Sequence, residues 1–214
     1  MPTDRTQLRR RADRGSYDRV VIDAVLDEAL VGHVGFAIDG CPAVIPMIHA
    51  RVGDHLYLHG AAGNHTLRSL ASGMEACVTV TLVDGLVLAR SAFHHSLNYR
   101  SVVVFATAER VDDPEEKRRA VAAVVEHVAP GRSGDCRPPT PEELRATLVV
   151  RLPLTEVSAK VRTGPPVDDP DDLGLPHWAG EIPLVLTPSR PVPDAAVRVP
   201  VPEYLRAWAR SSST

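Results

Sequence analysis

The stretch Ala76–Val111 reads ACVTVTLVDGLVLARSAFHHSLNYRSVVVFATAERV, and it decides which fold we expect. Its β-branched and apolar residues form short runs separated by polar turn residues, which is typical of antiparallel strands. We predict strands over Ala76–Val83, Leu86–Ala92 and Ser101–Val111, with Asp84-Gly85 as a two-residue hairpin turn. The centre of the chain is therefore expected to be a β-meander.

The same pattern extends towards the N-terminus. Asp39-Gly40 and Gly53-Asp54 are two further turn signals, and they lie between runs rich in Val and Ile. They separate three more predicted strands: His33–Ile38, Ala43–Val52 and His55–Gly60. Six closely spaced antiparallel strands favour a barrel, because closure removes the exposed edges of an open sheet.

Helices are predicted on both sides of these strands. Apolar residues recur at helical spacing in Ser16–Leu30 and Pro114–Val128, and a short helix is expected around Thr66–Ala71. Thr147–Leu154 is apolar and β-branched, so we expect one more strand there, continuing through Val157–Val161. The predicted fold class is mainly β with flanking helices.

The chain divides into three parts on composition. Residues 1–15 form a basic N-terminus that we expect to be flexible, and residues 16–164 form the predicted barrel domain. Residues 165–214 are rich in proline, which cannot donate to a β-ladder, so we expect an extended arm that packs on the domain or on a partner subunit. Its last residues, Arg210–Thr214, are expected to be disordered.

Composition excludes several classes of protein. The 214 residues are 44% hydrophobic and 24% charged, and no apolar run reaches the roughly 20 residues of a membrane-spanning helix. A net charge of −3 argues against nucleic-acid binding. The basic N-terminus lacks the apolar region of a secretory signal, and three separated cysteines, Cys41, Cys77 and Cys136, fit a reducing cytoplasm. Nine histidines are the unusual feature.

The first candidate site is the connector His59–Arg68, which follows a predicted strand and leads into a short helix. Its residues Asn64, His65, Thr66 and Arg68 can donate hydrogen bonds to an anion such as phosphate. The competing interpretation is an ordinary turn in which Asn64 caps the helix. No Walker loop and no G-x-G-x-x-G motif follows a strand, so standard triphosphate and dinucleotide motifs are absent from the sequence.

The second candidate site is the connector Leu88–Ser101, which concentrates charged and aromatic side chains between two apolar strands. Arg90 and Arg100 suit an anion, and Tyr99 suits stacking against an aromatic ligand. A solvated polar loop is the alternative. Metal binding by His94 and His95 is disfavoured, because adjacent residues on a strand point to opposite faces and no zinc spacing accompanies them. We therefore predict no metal site.

Two smaller features leave alternatives open. Lys160 and Arg162 share one face of a predicted strand, where solvated surface charge is the ordinary interpretation. Trp178 lies in the proline-rich arm, where it either anchors the arm by packing or forms a wall of a ligand site.

Taken in order, these motifs resemble a known family. The sequence contains H-G-A-A-x-x-x-x-L-R, then L-V-L-A-R-S-A-F-H-H-S-x-N-Y-R-S-V-V-V-F, then S-A-K-V-R-T-G-x-P and W-A-G-x-I-P-L. From Ser16 to Leu184 the chain is similar to the pyridoxamine 5'-phosphate oxidase-like flavin-binding proteins. The resemblance implies a six-stranded split β-barrel, a homodimer, and FMN bound in two symmetric clefts at the subunit interface.

The resemblance also implies which residues surround the flavin. Those expected beside the flavin ring are Pro46, Met47 and Ile48, together with Arg90 and Ser91. Those expected near the flavin phosphate are His59, Gly60, Asn64, His65 and Thr66, with Arg68 close behind. His95, Tyr99 and Arg100 are expected to close the site from the dimer interface, and Trp178 to cover the flavin.

One departure from the family pattern bears on the substrate. The vitamin B6 oxidases hold their substrate phosphate with a C-terminal R-x-H motif, which this sequence lacks. We therefore predict an FMN-dependent oxidoreductase that acts on a small organic molecule other than pyridoxamine phosphate, with His95 or His59 as the catalytic proton donor. The alternative is a sensor or carrier that binds flavin or haem without turnover.

Overall fold

Ten strands in residues 3–206, the part of the chain that this computed structural model describes, form one antiparallel sheet. The strands are β1 (Gly15–Ser16), β2 (Val31–Ile38), β3 (Cys41–Val52), β4 (His55–Ala61), β5 (Glu75–Leu88), β6 (Ser96–Thr107), β7 (Glu109–Arg110), β8 (Thr147–Pro153), β9 (Glu156–Arg162) and β10 (Gly180–Pro183). The order across the sheet is β1-β9-β6-β5-β2-β3-β4-β8-β7, and β10 pairs with β5. The sheet curls, because β6 and β8 touch although β5, β2, β3 and β4 separate them in this order.

The predicted class, mainly β with flanking helices, is confirmed, but the number of strands exceeds six. Asp84-Gly85 was predicted to end a strand, and this prediction is wrong: β5 runs through it with a bulge between Val83 and Gly85. The chain stays extended there because β10 pairs alongside, with Pro183 opposite Gly85. The turn into β6 lies instead in residues 89–95.

Five helices flank the sheet within the described residues: α1 (Arg19–Glu28), α2 (His65–Leu70), α3 (Pro114–Val128), α4 (Pro141–Ala146) and α5 (Glu203–Arg206). Local capping explains where they begin. Asp18 caps α1, and Asp113 caps α3, which has Pro114 in its first turn. Between residues 3 and 206, no helix combines the length and apolar character needed to cross a membrane.

The main core lies between the inner face of the curled sheet and α1. Ile22, Val25 and Leu26 of α1 pack against buried strand residues such as Val78 and Val102. A second, smaller cluster lies where α3 covers β4 and β8; it comprises Tyr57, Val111, Ala120 and Val149. Burial of these apolar side chains stabilises both layers.

The opposite side of the sheet, which we call the outer face, is only partly covered. Side chains alternate along a strand, so the buried Val34 and Phe36 of β2 leave Val31 and His33 on the outer face. The paired positions on β3 are Ile48 opposite Val31, Pro46 opposite His33, and Val44 opposite Gly35. All three of these β3 residues are exposed.

The N-terminal end of the described chain lies against the sheet, whereas Tyr204 near its C-terminal end contacts Gly131 and Asp135 after α3. Residues 12–14 form one 3₁₀ turn, and β1 then pairs with β9. After β9 the proline-rich segment returns as β10 and continues in irregular structure to α5. The tail predicted to be disordered, residues 210–214, lies outside the described residues.

Candidate functional site

The connector between β5 and β6, residues 89–95, is fastened to the proline-rich segment. Both Asp168 carboxylate oxygens accept hydrogen bonds from Arg90, one from its backbone N–H and one from Nη1, each at 2.8 Å. Nε2 of His94 lies 3.1 Å from the Asp169 carboxylate. The Asp168 side chain is 2% exposed, so the pairing with Arg90 compensates for a buried charge. The Arg90 side chain is thus already paired with a carboxylate of the same chain.

A cavity of about 670 Å³ opens beside this connector. We call it the cationic pocket, because five lysine or arginine side chains line it. Its lining residues are Arg10, Arg11, Arg14, Phe93, His94, His95, Ser96, Lys160, Arg162, Val167 and Asp169. Volumes of this size are typical of small-molecule sites.

Arg162 forms the floor of the cationic pocket and is only 6% exposed. Its Nη1 donates to Asn98 Oδ1 and, at 2.8 Å, to the Gly164 carbonyl; its Nη2 donates to the Pro165 carbonyl at 3.0 Å. Its Nε is buried and has no hydrogen-bond partner among residues 3–206. Burial first, and then the nearby Arg14, lower the pKa of Arg162. The oxygens that accept hydrogen bonds from the guanidinium are all neutral, and no carboxylate of residues 3–206 forms an ion pair with it.

Tyr99 and Arg100 of β6 point to opposite faces of the sheet. Tyr99 lies directly opposite Arg162 in the ladder, so it belongs to the same face as the cationic pocket. Arg100 instead forms ion pairs with Glu28, at 2.9 Å from Nη2 to Oε1, and with Asp84 at 2.8 Å. The hydrogen bonds that Arg100 donates to these two carboxylates raise its pKa. Arg100 therefore ties α1 to β5 and β6.

The predicted flavin-ring strand is split by the pleat of β3. Pro46 and Ile48 lie on the outer face and are exposed, whereas Met47 points inward and packs against the main core. Only two of these three side chains are therefore available to a ligand on the outer face.

In the predicted phosphate-binding connector, some groups already have partners within the chain and others are free to bind a ligand. Oδ1 of Asn64 accepts a hydrogen bond of 3.0 Å from the Leu67 N–H, so Asn64 caps α2. Gly60 packs tightly, since a Cβ there would lie 2.8 Å from Leu67 Cδ1. His65 and Arg68 are exposed and Thr66 is half-buried, and within residues 3–206 Arg68 has no ion-pair partner. These three residues remain free to contact an anion.

His59 and His95 lie in different places. His95 lines the cationic pocket, and its Nδ1 lies 2.9 Å from the Ser91 carbonyl. His59 is on β4, opposite Val149 of β8, and its buried Nδ1 has no hydrogen-bond partner in residues 3–206. Burial lowers the pKa of His59, which favours the neutral imidazole. His95 lies in the connector between β5 and β6, and in one copy of the chain β2 and β3 lie between β5 and the strand β4 that carries His59.

Trp178 is 65% exposed and folds over the start of β10. A Cβ on Gly180 would lie 2.9 Å from its Cζ2 atom, so the absence of a side chain at Gly180 admits the indole. The outer side of the ring remains available for contact.

The sequence interpretation did not predict that five lysine and arginine side chains line one cavity. Arg10, Arg11 and Arg14 were assigned to a flexible terminus, and Lys160 and Arg162 to solvated surface. The signal was present in the run Arg9-Arg10-Arg11, but only the pairing of β1 with β9 brings it beside Lys160. Among the described residues, no group of three or more His, Cys, Asp or Glu side chains could hold a metal ion.

The fold and these connectors match a known family. The family described as pyridoxamine 5'-phosphate oxidase matches residues 18–161, which is most of the chain. This protein belongs to that family.

Solved structures extend the match to nearly the whole chain. The flavocytochrome Anf3 from Azotobacter vinelandii is 38% identical, with a TM-score of 0.90 over 97% of this chain and 98% of that chain. A protein from Mycobacterium smegmatis that binds FAD and haem is 36% identical, with a TM-score of 0.86 over 91% and 96%.

A more distant structure comes from Bacteroides thetaiotaomicron and is proposed to be a 5-nitroimidazole antibiotic resistance protein. It is 25% identical, with a TM-score of 0.58 over 69% of this chain and 86% of that chain. No curated protein matches the sequence.

Proposed function

We propose that this protein binds a flavin and acts as an oxidoreductase on a small organic molecule. The observation that carries this proposal is the match over nearly the whole chain, at 38% and 36% identity, to a flavocytochrome and to an FAD- and haem-binding protein. The cytoplasmic location expected from the three free cysteines belongs to the same proposal.

The residues present fit a flavin. The exposed Pro46 and Ile48 provide an apolar surface for an aromatic ring system, and Arg68, with no ion pair among the described residues, provides a charge for a phosphate. FMN was expected from the family resemblance. We favour FAD, because the Mycobacterium smegmatis relative is described as binding FAD and because the cationic pocket carries more charge than one phosphate requires.

The bound flavin would supply the hydride and electron chemistry. The chain's own residues bind and orient it: Arg68 and Thr66 hold the phosphate, and the outer face of β3 excludes water from one side of the ring. His95, an exposed imidazole on the lining of the cationic pocket, is the proton donor in this proposal.

We infer that the protein also binds haem, and one observation at His59 supports this inference. The buried Nδ1 of His59 has no hydrogen-bond partner within residues 3–206, and burial lowers the pKa of the ring, which favours the neutral form that binds metals. A bound group would satisfy this atom. Both relatives quoted above at more than 30% identity are named for haem or cytochrome content.

The absorption spectrum of the purified full-length protein tests both cofactors. We expect flavin bands and a Soret band, and mass spectrometry of the released chromophores identifies FAD or FMN. Arg68→Ala is expected to weaken flavin affinity about tenfold, since a charge-assisted contact to phosphate is lost. Loss of the Soret band alone in His59→Ala assigns that histidine to haem.

Arg118→Ala on α3 is the matched control, because it removes the same charge away from the proposed sites. Colourless protein that takes up no added flavin would contradict the main proposal. A yellow protein that shows no Soret band, even after haem is added, would contradict the second cofactor only.

A further inference from the structure

Within residues 3–206, the cationic pocket carries more positive than negative side-chain charge. Its five lysine and arginine side chains form no ion pair within residues 3–206, and Lys160 Nζ donates only to the Arg10 carbonyl, at 3.2 Å. Asp169 is the single carboxylate of the lining, and it pairs with His94. Elsewhere, arginines such as Arg90 and Arg100 face carboxylates. Like charges gathered around one cavity repel each other unless an anion occupies it.

Arg162 gives independent evidence for a ligand. It is more than nine-tenths buried, it lines the cavity, and its Nε has no hydrogen-bond partner among the described residues. A buried, charged donor without a partner is costly, so such groups normally face a bound anion or another acceptor. The nearby Glu181 acts on Arg162 at longer range, and its carboxylate accepts a hydrogen bond of 2.5 Å from the Asn98 amide.

The rim of the cationic pocket is aromatic and apolar. Phe93 is 88% exposed, and its ring meets that of His94 edge-on at a centroid distance of 5.1 Å. Val167, also exposed, lies on the rim as well. An exposed phenylalanine beside clustered arginines suits a ligand with a planar base next to an anionic group.

We propose that the cationic pocket binds the adenosine diphosphate part of a dinucleotide. Arg10, Arg11 and Arg162 contact the diphosphate, and Phe93 stacks on the adenine. This inference rests on the proposed function, since a flavoprotein meets such a group in two molecules: FAD itself or a dinucleotide electron donor. The cavity volume of about 670 Å³ accommodates a nucleotide.

The test is a calorimetric titration of the full chain with ADP, both as isolated and after removal of flavin. We expect the double variant Arg10→Gln/Arg11→Gln to bind ADP about 10- to 100-fold more weakly, as expected for lost hydrogen bonds to charged groups. Both residues are exposed, so the fold should be retained, and thermal unfolding checks this. Arg118→Gln/Arg145→Gln removes two charges outside the pocket and should bind like the wild type.

Two positive outcomes distinguish the source of the nucleotide. If ADP binds only after flavin removal and competes with FAD but not with FMN, the cationic pocket holds the adenylate half of FAD. If ADP binds with flavin still in place, the pocket receives a dinucleotide donor. In either case Phe93→Ala should weaken ADP binding about threefold to tenfold, in line with the energy of one aromatic contact.

Three outcomes would overturn the inference: no ADP binding in either state, equal affinity of the wild type and Arg10→Gln/Arg11→Gln, or equal affinity for ADP and inorganic pyrophosphate. The last would show anion binding without recognition of the base. The visible spectrum measures flavin content in a separate experiment, so the ADP-binding result can be judged independently of the proposed function. If the protein is colourless but binds ADP through Arg10 and Arg11, the proposal of flavin binding is refuted and the proposal of a nucleotide pocket stands.

Discussion

Tyr57 and Glu116 form a polar contact inside the packing of α3 on the sheet. Oη of Tyr57 donates to Glu116 Oε1 at 2.8 Å, and Arg151 Nη1 donates to the same oxygen at 2.8 Å. Burial first, and then the bond to Glu116, raise the pKa of Tyr57 to about 12. Burial alone would raise the pKa of Glu116, but the hydrogen bonds from Arg151 and Tyr57 outweigh it and lower that pKa. An ionised carboxylate therefore helps to hold α3 against β4 and β8.

We expect Glu116→Gln to destabilise the protein by about 1 kcal/mol at neutral pH, because two hydrogen bonds lose their charged acceptor. The folded pKa of Glu116 lies below its ordinary value of 4.5, so its contribution is present above that value and is lost as the pH falls through the folded pKa. Urea unfolding at neutral and acidic pH measures this. The difference from wild type should shrink in acid.

Glu115→Gln, at an exposed position on the same helix, is the control and should change stability less. A stability difference between Glu116→Gln and wild type that is independent of pH would show that packing, not charge, accounts for the effect.

Arg100 and Arg162 show why sequence reasoning succeeds only in part at this scale. Both sit in polar segments, and the local pattern correctly indicates that charges concentrate there. What each arginine contacts depends on residues far along the chain: Arg100 pairs with Glu28, 72 positions away, and Arg162 bonds to Asn98, 64 positions away. Local periodicity carries no information about such partners. It therefore cannot distinguish an arginine that is already paired with a carboxylate from one that is free to bind a ligand.

At the scale of elements, alternation and capping were sufficient for most of the structure. The predicted helix Pro114–Val128 is observed with the same bounds, and the predicted strand His55–Gly60 is one residue short of β4. The error at Asp84-Gly85 has a physical cause: this dipeptide suits a hairpin turn and a β-bulge equally well. Only the arrival of β10, about 100 residues later in the chain, decides between them.

The bulge leads to a prediction about Gly85. A Cβ at this position would lie 3.1 Å from the carbonyl oxygen of Ile182 in β10, so Gly85→Ala forces the two strands apart. We expect a loss of about 1 to 3 kcal/mol in the free energy of unfolding, the usual cost of overpacking. Equilibrium unfolding in urea measures it.

Gly134→Ala is the matched control, because nothing lies within 4 Å of a Cβ at that position. If both variants unfold at the same urea concentration as wild type, β10 is not held tightly against the bulge of β5.

At the scale of the whole molecule, the outer face of the sheet carries apolar side chains that one copy of the chain leaves exposed. Val31, Val44, Ile48 and Val83 lie on it and are exposed, and Val44 reaches 63%. Contiguous apolar surface of this kind usually marks an interface. We propose that a second copy covers it, which would also bring the cationic pocket of one subunit and the β4–α2 connector of the other into one assembly.

Light scattering coupled to size exclusion tests the proposed homodimer. We expect a mass twice the 23.1 kDa of one chain for the wild type. Val44→Asp should shift the protein towards the monomer, because a charge buried in an apolar interface would not be compensated there. Val20→Asp, at an exposed position on α1 outside this face, should remain dimeric. Circular dichroism checks that both variants keep their β-structure. A monomeric wild type would contradict the homodimer, and a fully dimeric Val44→Asp would show that the interface lies elsewhere. If Val44→Asp is monomeric and also loses its flavin, the cofactor site requires both subunits.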